Sequence, residues 1–253
     1  MLRVYALSCG SLEFDRSLFF PAAEPGVNIN MPVSSFLVAH PAGKLVFDTG
    51  VHRDARTDPA GRLGKRMASL FRLHARPDED PVGQLALLGL APDDIRYVVN
   101  SHFHFDHCGC NASFPKATFL VQKSELEAAR APGNRYNPRD WDCALDYQAV
   151  DGEHDVFGDG SVVLLPTPGH TPGHQSLWIR PGGGTQFVLA ADAAYTRQHL
   201  EETILPSNAH DAAQMKQSME SLRAMRDRKG VTLLYGHDAE QWSALPRAPR
   251  ALS

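Results

Sequence analysis

Four side chains able to bind a metal fall within six residues at His102-Phe-His104-Phe-Asp106-His107, directly after the run Tyr97-Val-Val-Asn100. That run reads as a buried strand, so the cluster begins where a strand leaves a sheet. Side chains of an extended segment alternate with period two, so His102 and His104 point the same way. A turn then carries Asp106 and His107 round to a neighbouring position. One short loop can thus offer two donors to each of two adjacent cations. A chance cluster of histidines on a surface loop is the alternative. The order of the four donors, and the strand that leads into them, argue against it.

A loop that holds four donors in fixed directions needs a rigid scaffold, and the rest of the chain supplies one. Val4–Leu7, Val33–Val38, Leu45–Phe47, Ala117–Val121, Val162–Leu165, Ser176–Ile179, Phe187–Ala190 and Val231–Tyr235 read as further strands. Short helices are expected over 82–89 and from Ser124 to about Ala129. A longer one is expected after Asp211, which is an N-cap residue type. Met215, Met219 and Leu222 would share its buried face. Strand ends followed by loops rich in His, Asp and Gly recur, and such loops are where sites are built. Three more candidate donors lie in them: His170 within Thr167-Pro-Gly-His-Thr-Pro-Gly173, Asp192 after Phe187–Ala190, and His237 after Val231–Tyr235. Five histidines and two aspartates suit two divalent ions. Zinc comes first, with iron, cobalt or manganese tolerated. A carboxylate such as Asp192 can bridge two ions, one through each oxygen.

The length of 253 residues suits one layered α/β domain spanning 1–253. Apolar residues make up 43%, enough for a sizeable core, and the formal charge of −4 offers no basic surface for nucleic acid. No apolar run is long enough for a membrane span, and the N-terminus lacks an apolar signal core. These features read as a soluble, cytoplasmic protein. Cys9, Cys108, Cys110 and Cys143 are expected as free thiols, and Cys108 as no ligand, since His and Asp suffice. Residues 51–80 differ from the rest. They are basic, and Leu63, Met67, Leu70 and Phe71 fall on one helical face. That stripe reads equally as a surface helix packed on its own domain and as a lid or dimer contact. The protein is expected as a monomer or homodimer.

The His-x-His-x-Asp-His run, the later His170, Asp192 and His237, and Asp48-Thr-Gly50 at an early strand end together resemble the metallo-β-lactamase superfamily. Tyr97–Gly109, Pro166–Ser176, Asp192-Ala-Ala-Tyr195 and Tyr235-Gly-His-Asp238 carry the resemblance further, to the N-acyl-homoserine lactone lactonases that degrade quorum-sensing signals. The tyrosine three residues beyond Asp192 discriminates most, and Tyr136–Trp141 departs from the family pattern. The resemblance implies a four-layer αβ/βα sandwich, two mixed sheets with helices on their outer faces, and metals at one edge. It assigns His102, His104 and His170 to the first metal and Asp106, His107 and His237 to the second, with Asp192 bridging. Asp48 would orient ligands, and His174 would be a packed core histidine.

The implied chemistry is hydrolysis of a lactone by a hydroxide shared between two metals. Tyr195 would stabilise the oxyanion and Asp106 would protonate the leaving alkoxide. Phe105, Phe19, Phe20 and Met31 could line a substrate pocket, with core packing as the plain alternative for each. Another lactone, aromatic or pyridoxal-derived, is the competing substrate class. A thioesterase of the glyoxalase II type shares the ligand pattern, but the chain ends soon after His237. A non-enzymatic metal-binding module would be closed by four ligands with no tyrosine poised nearby.

Overall fold

Alternation along the strands decides the layers. In the computed structural model, which describes residues 2–134 and 136–252, twelve strands form two sheets. They are β1 (Arg3–Asp15), β2 (Asn28–His40), β3 (Gly43–Phe47), β4 (Arg72–His74), β5 (Ile95–Val99), β6 (Thr118–Gln122), β7 (Asp146–Val150), β8 (His154–Asp155), β9 (Val162–Pro166), β10 (Gln175–Gly182), β11 (Thr185–Leu189) and β12 (Val231–Leu234). The first sheet runs β4-β1-β2-β3-β5-β6-β7 and the second β12-β11-β10-β9-β8. Both are mixed. β1, β2 and β3 pair antiparallel, while β3, β5, β6 and β7 run parallel. In the second sheet β11 and β12 are parallel and the other pairs antiparallel.

The α-helices are α1 (Pro59–Leu63), α2 (Lys65–Leu70), α3 (Pro81–Ala86), α4 (Phe105–Cys108), α5 (Lys123–Arg130), α6 (Pro138–Trp141), α7 (Arg197–Glu202), α8 (Ala212–Arg226) and α9 (Ala239–Ala244). None of the described helices is long and apolar enough to cross a membrane. One set of alternating residues fills the space between the sheets: Val4, Phe36, Leu45, Phe47 and Val99 face Val162, Leu164, Leu177, Ile179 and Leu234. The complementary set faces outward. Leu7, Leu37, Val46 and Val98 meet Leu85 of α3, and Val163, Leu165, Val188 and Leu233 meet Met215, Met219 and Leu222 of α8. The outcome is the expected αβ/βα sandwich.

The expected strands are all present, though β1 and β2 extend far beyond Val4–Leu7 and Val33–Val38. β1 carries a register shift between Ser8 and Ser11 that interrupts its alternation. Asp211 caps α8 by accepting from the Ala213 and Gln214 N–H groups. Residues 51–80 form two short helices broken at Gly64, followed by β4 at the sheet edge. Gly64 has φ 84°, a conformation that ends one helix and re-aims the next.

α1 is fastened to α6. The Arg62 guanidinium pairs with the Asp140 carboxylate, Arg139 Nη1 donates to Gly61 O (2.6 Å), and Asn137 Nδ2 donates to Arg62 O (3.3 Å). Burial pushes Asp140 up to about 6 from an ordinary 3.8, although Arg62 pulls the other way. With its folded value raised, Asp140 contributes stability that is present below about pH 4 and lost as pH rises through about 6. Asp140→Asn is therefore expected to remove a falling component of stability between those values. Denaturation midpoints of both proteins across that range test it. A pH-independent difference between them would exclude Asp140 as the source.

Candidate metal centre

The site is built at the carboxyl ends of β3, β5, β9, β11 and β12, where five chain segments leave the sheets. β5 ends at Val99, and Asn100 to His104 then run without regular structure to the start of α4, His104 itself being extended (φ −70°, ψ 151°). The segment is clamped from below. Thr49 N–H donates to His107 O (2.7 Å), and Asn100 and Asn111 exchange side-chain amide bonds (2.8 and 3.1 Å). Gly109 allows the close approach, since a Cβ there would lie 2.4 Å from His52 N. Two residues that carry a Cβ sit at positive φ beside the site, Asp48 (59°) and Ala191 (45°). Such strain persists only where the surroundings enforce it.

Two groups of donors result. His102, His104, His170 and Asp192 form one, and Asp106, His107 and His237 the other. In the first, His104 Nδ1 lies 2.9 Å from both His102 Nε2 and His170 Nε2, which are 3.2 Å apart. Three imidazole nitrogens this close leave no room for a proton on each. Donors around a tetrahedral zinc, at about 2.0–2.1 Å from it, would be about 3.3 Å apart. The donor set and its spacing therefore fit a cation. Asp192 turns one oxygen to each group: Oδ2 lies 3.2 Å from His170 Nε2, while Oδ1 lies 3.0 Å from His237 Nε2 and 3.1 Å from His107 Nε2. Despite that short distance, His107 Nε2 makes no hydrogen bond and is buried. Asp106 Oδ2 stands 3.6 and 3.8 Å from the His107 and His237 Nε2 atoms.

The far side of each ring sets its tautomer. His107 Nδ1 donates to Asp48 Oδ2 (2.8 Å) and His237 Nδ1 to Pro32 O (2.8 Å), which frees both Nε2 lone pairs for the site. Asp48 is itself held by the Ser101 N–H (2.7 Å) and hydroxyl (2.8 Å). His170 Nδ1 lies 3.2 Å from the Tyr195 hydroxyl, and His102 Nδ1 3.0 Å from Ser101 Oγ. His174 faces away from the donors. Its Nδ1 donates to Thr167 O (3.1 Å) and its Nε2 accepts from Asp192 N–H (3.1 Å). Burial, then the neighbouring His170, pushes His174 down to about 3. Burial and the adjacent histidines also hold His102 and His104 well below the usual range. Burial alone would raise Asp192, but the charges of His107, His237 and His170 hold it well below a normal carboxylate.

Above the donors opens a pocket of about 590 Å³. Leu63, Met67, Leu70 and Phe71 form one wall, Phe19 and Phe105 another, and Tyr195 lies at its base with Asp192 and Asp106. The apolar stripe in 51–80 thus lines the pocket. The Tyr195 hydroxyl, fully buried, is 3.5 Å from Asn208 Oδ1, and burial followed by Asp192 pushes it well above its usual value.

Two of the four residues expected along the pocket stand elsewhere. Phe20 packs on the His199 ring (4.3 Å between centroids) and Met31 is buried with Cys9, Leu12 and Phe14; where they reach a hollow, it is a separate one. The reason is directional. Phe19 and Phe20 follow each other in a turn and take opposite sides, and Met31 sits on β2 facing the core. Tyr136 and Asn208 line the pocket and were not foreseen. Both lie in irregular segments, where spacing carries no signal. All four cysteines are free, and none is among the donors.

Paired His and Asp donor groups at the edge of an αβ/βα sandwich define a class, and the chain belongs to it: residues 29–237 match the metallo-β-lactamase superfamily. The N-acyl homoserine lactonase AttM of Agrobacterium fabrum is 36% identical over 98% of this chain and 97% of its own. The N-acyl homoserine lactonase AiiA of Bacillus thuringiensis subsp. kurstaki is 30% identical over 94% of each. A solved N-acyl homoserine lactone hydrolase, with the product N-hexanoyl-L-homoserine at its catalytic metal centre, superposes with a TM-score of 0.89 at 30% identity, covering 98% of both chains. Within the superfamily, the family is that of the N-acyl homoserine lactonases, metal-dependent hydrolases.

Proposed function

We propose that this protein hydrolyses the lactone ring of N-acyl homoserine lactones. The observation that carries the reading is Asp192, with one oxygen turned to each of two donor groups at the floor of a largely apolar pocket. His102, His104 and His170 would hold one divalent ion, and Asp106, His107 and His237 a second, with Asp192 shared. Zinc is the ion proposed, on the mix of nitrogen and oxygen donors. When bound, such a pair supplies Lewis acidity for the carbonyl and a lowered pKa for a water.

The chain's own groups do the rest. The apolar wall of Leu63, Met67, Phe71, Phe19 and Phe105 takes the acyl chain and leaves the polar lactone at the donors. With His170 Nδ1–H donating to the Tyr195 oxygen, the phenol proton points to Asn208 Oδ1 (3.5 Å), a long bond that it can leave for a substrate oxygen in the pocket. It can then donate to the carbonyl oxygen as negative charge develops there. Asp106, at the pocket base, takes a proton from the oxygen of the attacking water and passes it to the ring oxygen as the C–O bond breaks. Asp48 keeps His107 in the tautomer that presents Nε2. Water adds across the ester bond, so the product is an N-acyl homoserine and one proton is released at neutral pH. A cytoplasmic site of action belongs to this reading, since the four cysteines are thiols.

Proton release, followed with an indicator dye, tests it on metal-loaded protein given homoserine lactones of several acyl lengths. A simple γ-lactone, an aromatic lactone and a thioester run alongside. Fast opening of the acyl homoserine lactones that a chelator abolishes is the expected result. Turnover of the thioester or aromatic lactone alone would discard the substrate while keeping the metal chemistry.

A further inference from the structure

One buried carboxylate near the site takes no part in the chemistry above. Glu125 lies in the first turn of α5, fully buried. Its Oε1 accepts from the Phe103 N–H (3.0 Å), the peptide between His102 and His104. Its Oε2 accepts from the Thr171 hydroxyl (2.8 Å) and the Gly173 N–H (2.9 Å), on the loop that carries His170. A side chain that only filled the core would not need three polar bonds to two separate loops. The second loop also approaches α5 closely. A Cβ at Gly173 would lie 2.2 Å from Glu125 N, and one at Gly169 would lie 2.1 Å from Met215 N of α8. The loop is thus wedged between two helices, with His170 at its tip.

We propose that Glu125 is a positioning residue for one metal position only: it braces the two loops that carry His102, His104 and His170 at their mutual spacing. The other group, Asp106, His107 and His237, is oriented by Asp48, the α4 turn and Pro32 O, none of which Glu125 touches. The Phe103 N–H, the Thr171 hydroxyl and the Gly173 N–H are donors, and the Tyr136 hydroxyl, a fourth group at the carboxylate, can donate as well, so only an acceptor at both oxygens satisfies them. A glutamine places an NH2 group against one of these donors, and an aspartate is one methylene too short to reach both loops. The inference rests on the metal-centre reading but not on the lactone substrate.

The test is stepwise metal affinity, measured by competition with a chromophoric chelator on Glu125→Gln and wild type. We expect one of the two affinities to weaken about 10- to 100-fold, the range for losing a group that orients a ligand. The other should change far less. Glu127→Gln, exposed on the same helix, should leave both unchanged. Thr171→Val removes one of the three bonds, keeps the carboxylate, and should shift the same affinity by less. It decides the matter if Glu125→Gln fails to fold. Equal weakening of both affinities, or of neither, would overturn the proposal. Failure of the lactone assay would leave these affinities as they are, so the two readings fail separately.

Discussion

Asp192→Asn is expected to lose both metal positions and, with them, hydrolysis. The side chain is buried and turns one oxygen to each donor group, 3.0–3.2 Å from the Nε2 atoms of His237, His107 and His170. An amide keeps the size but removes the charge and turns an NH2 toward one group. It would leave two cations and five imidazoles in a buried site with one less compensating anion. Removing one partner of a buried charge pair costs about 3–5 kcal/mol. That corresponds to roughly 100- to 1000-fold or more in affinity, at about 1.4 kcal/mol per decade. Elemental analysis after gel filtration reads the outcome. Two equivalents of metal retained on Asp192→Asn would remove it from the bridging role.

Tyr195→Phe should behave in the opposite way, keeping both metals while turnover falls about 10- to 1000-fold. The hydroxyl is 3.2 Å from His170 Nδ1 and at the base of the pocket, yet it is not among the donors. Loss of the phenol leaves the ring packed on Phe19 (4.5 Å between centroids), so the pocket wall should survive. KM for the lactone should move little, because the bond to the carbonyl oxygen strengthens only as charge develops. Metal content together with separate kcat and KM values distinguishes this from Asp192. Wild-type kcat in Tyr195→Phe would exclude the phenol from the reaction.

The contrast between these two residues mirrors how far each was legible before the fold was known. Asp192 belongs to a sparse pattern of donors at strand ends, and so do His170 and His237. Each strand end is visible as a short apolar run, because β9, β11 and β12 are buried on both faces. Tyr195 is marked only by its place three residues beyond Asp192. Phe19 and Phe105 line the pocket, but Phe20 and Met31, which look alike in composition, do not. Neighbouring residues in a turn diverge, and their direction follows from backbone angles that composition does not encode. The strand β4 was equally hidden. It is three residues long, and pairing with β1 alone defines it.

By itself the sequence determined the donor types, their order and the alternating strands behind them, while the layered sandwich was implied by the family resemblance that those donors carry. These are local properties, written in spacing and in side-chain chemistry. Only the tertiary structure decided which residues meet. It put the stripe of Leu63, Met67 and Phe71 over the pocket, fastened Arg62 to Asp140, and brought Glu125 between two loops 22 and 46 residues away in the chain. Such contacts form because burying a helix face and pairing a buried charge are favourable wherever the partner lies in the chain, and sequence separation gives no sign of it.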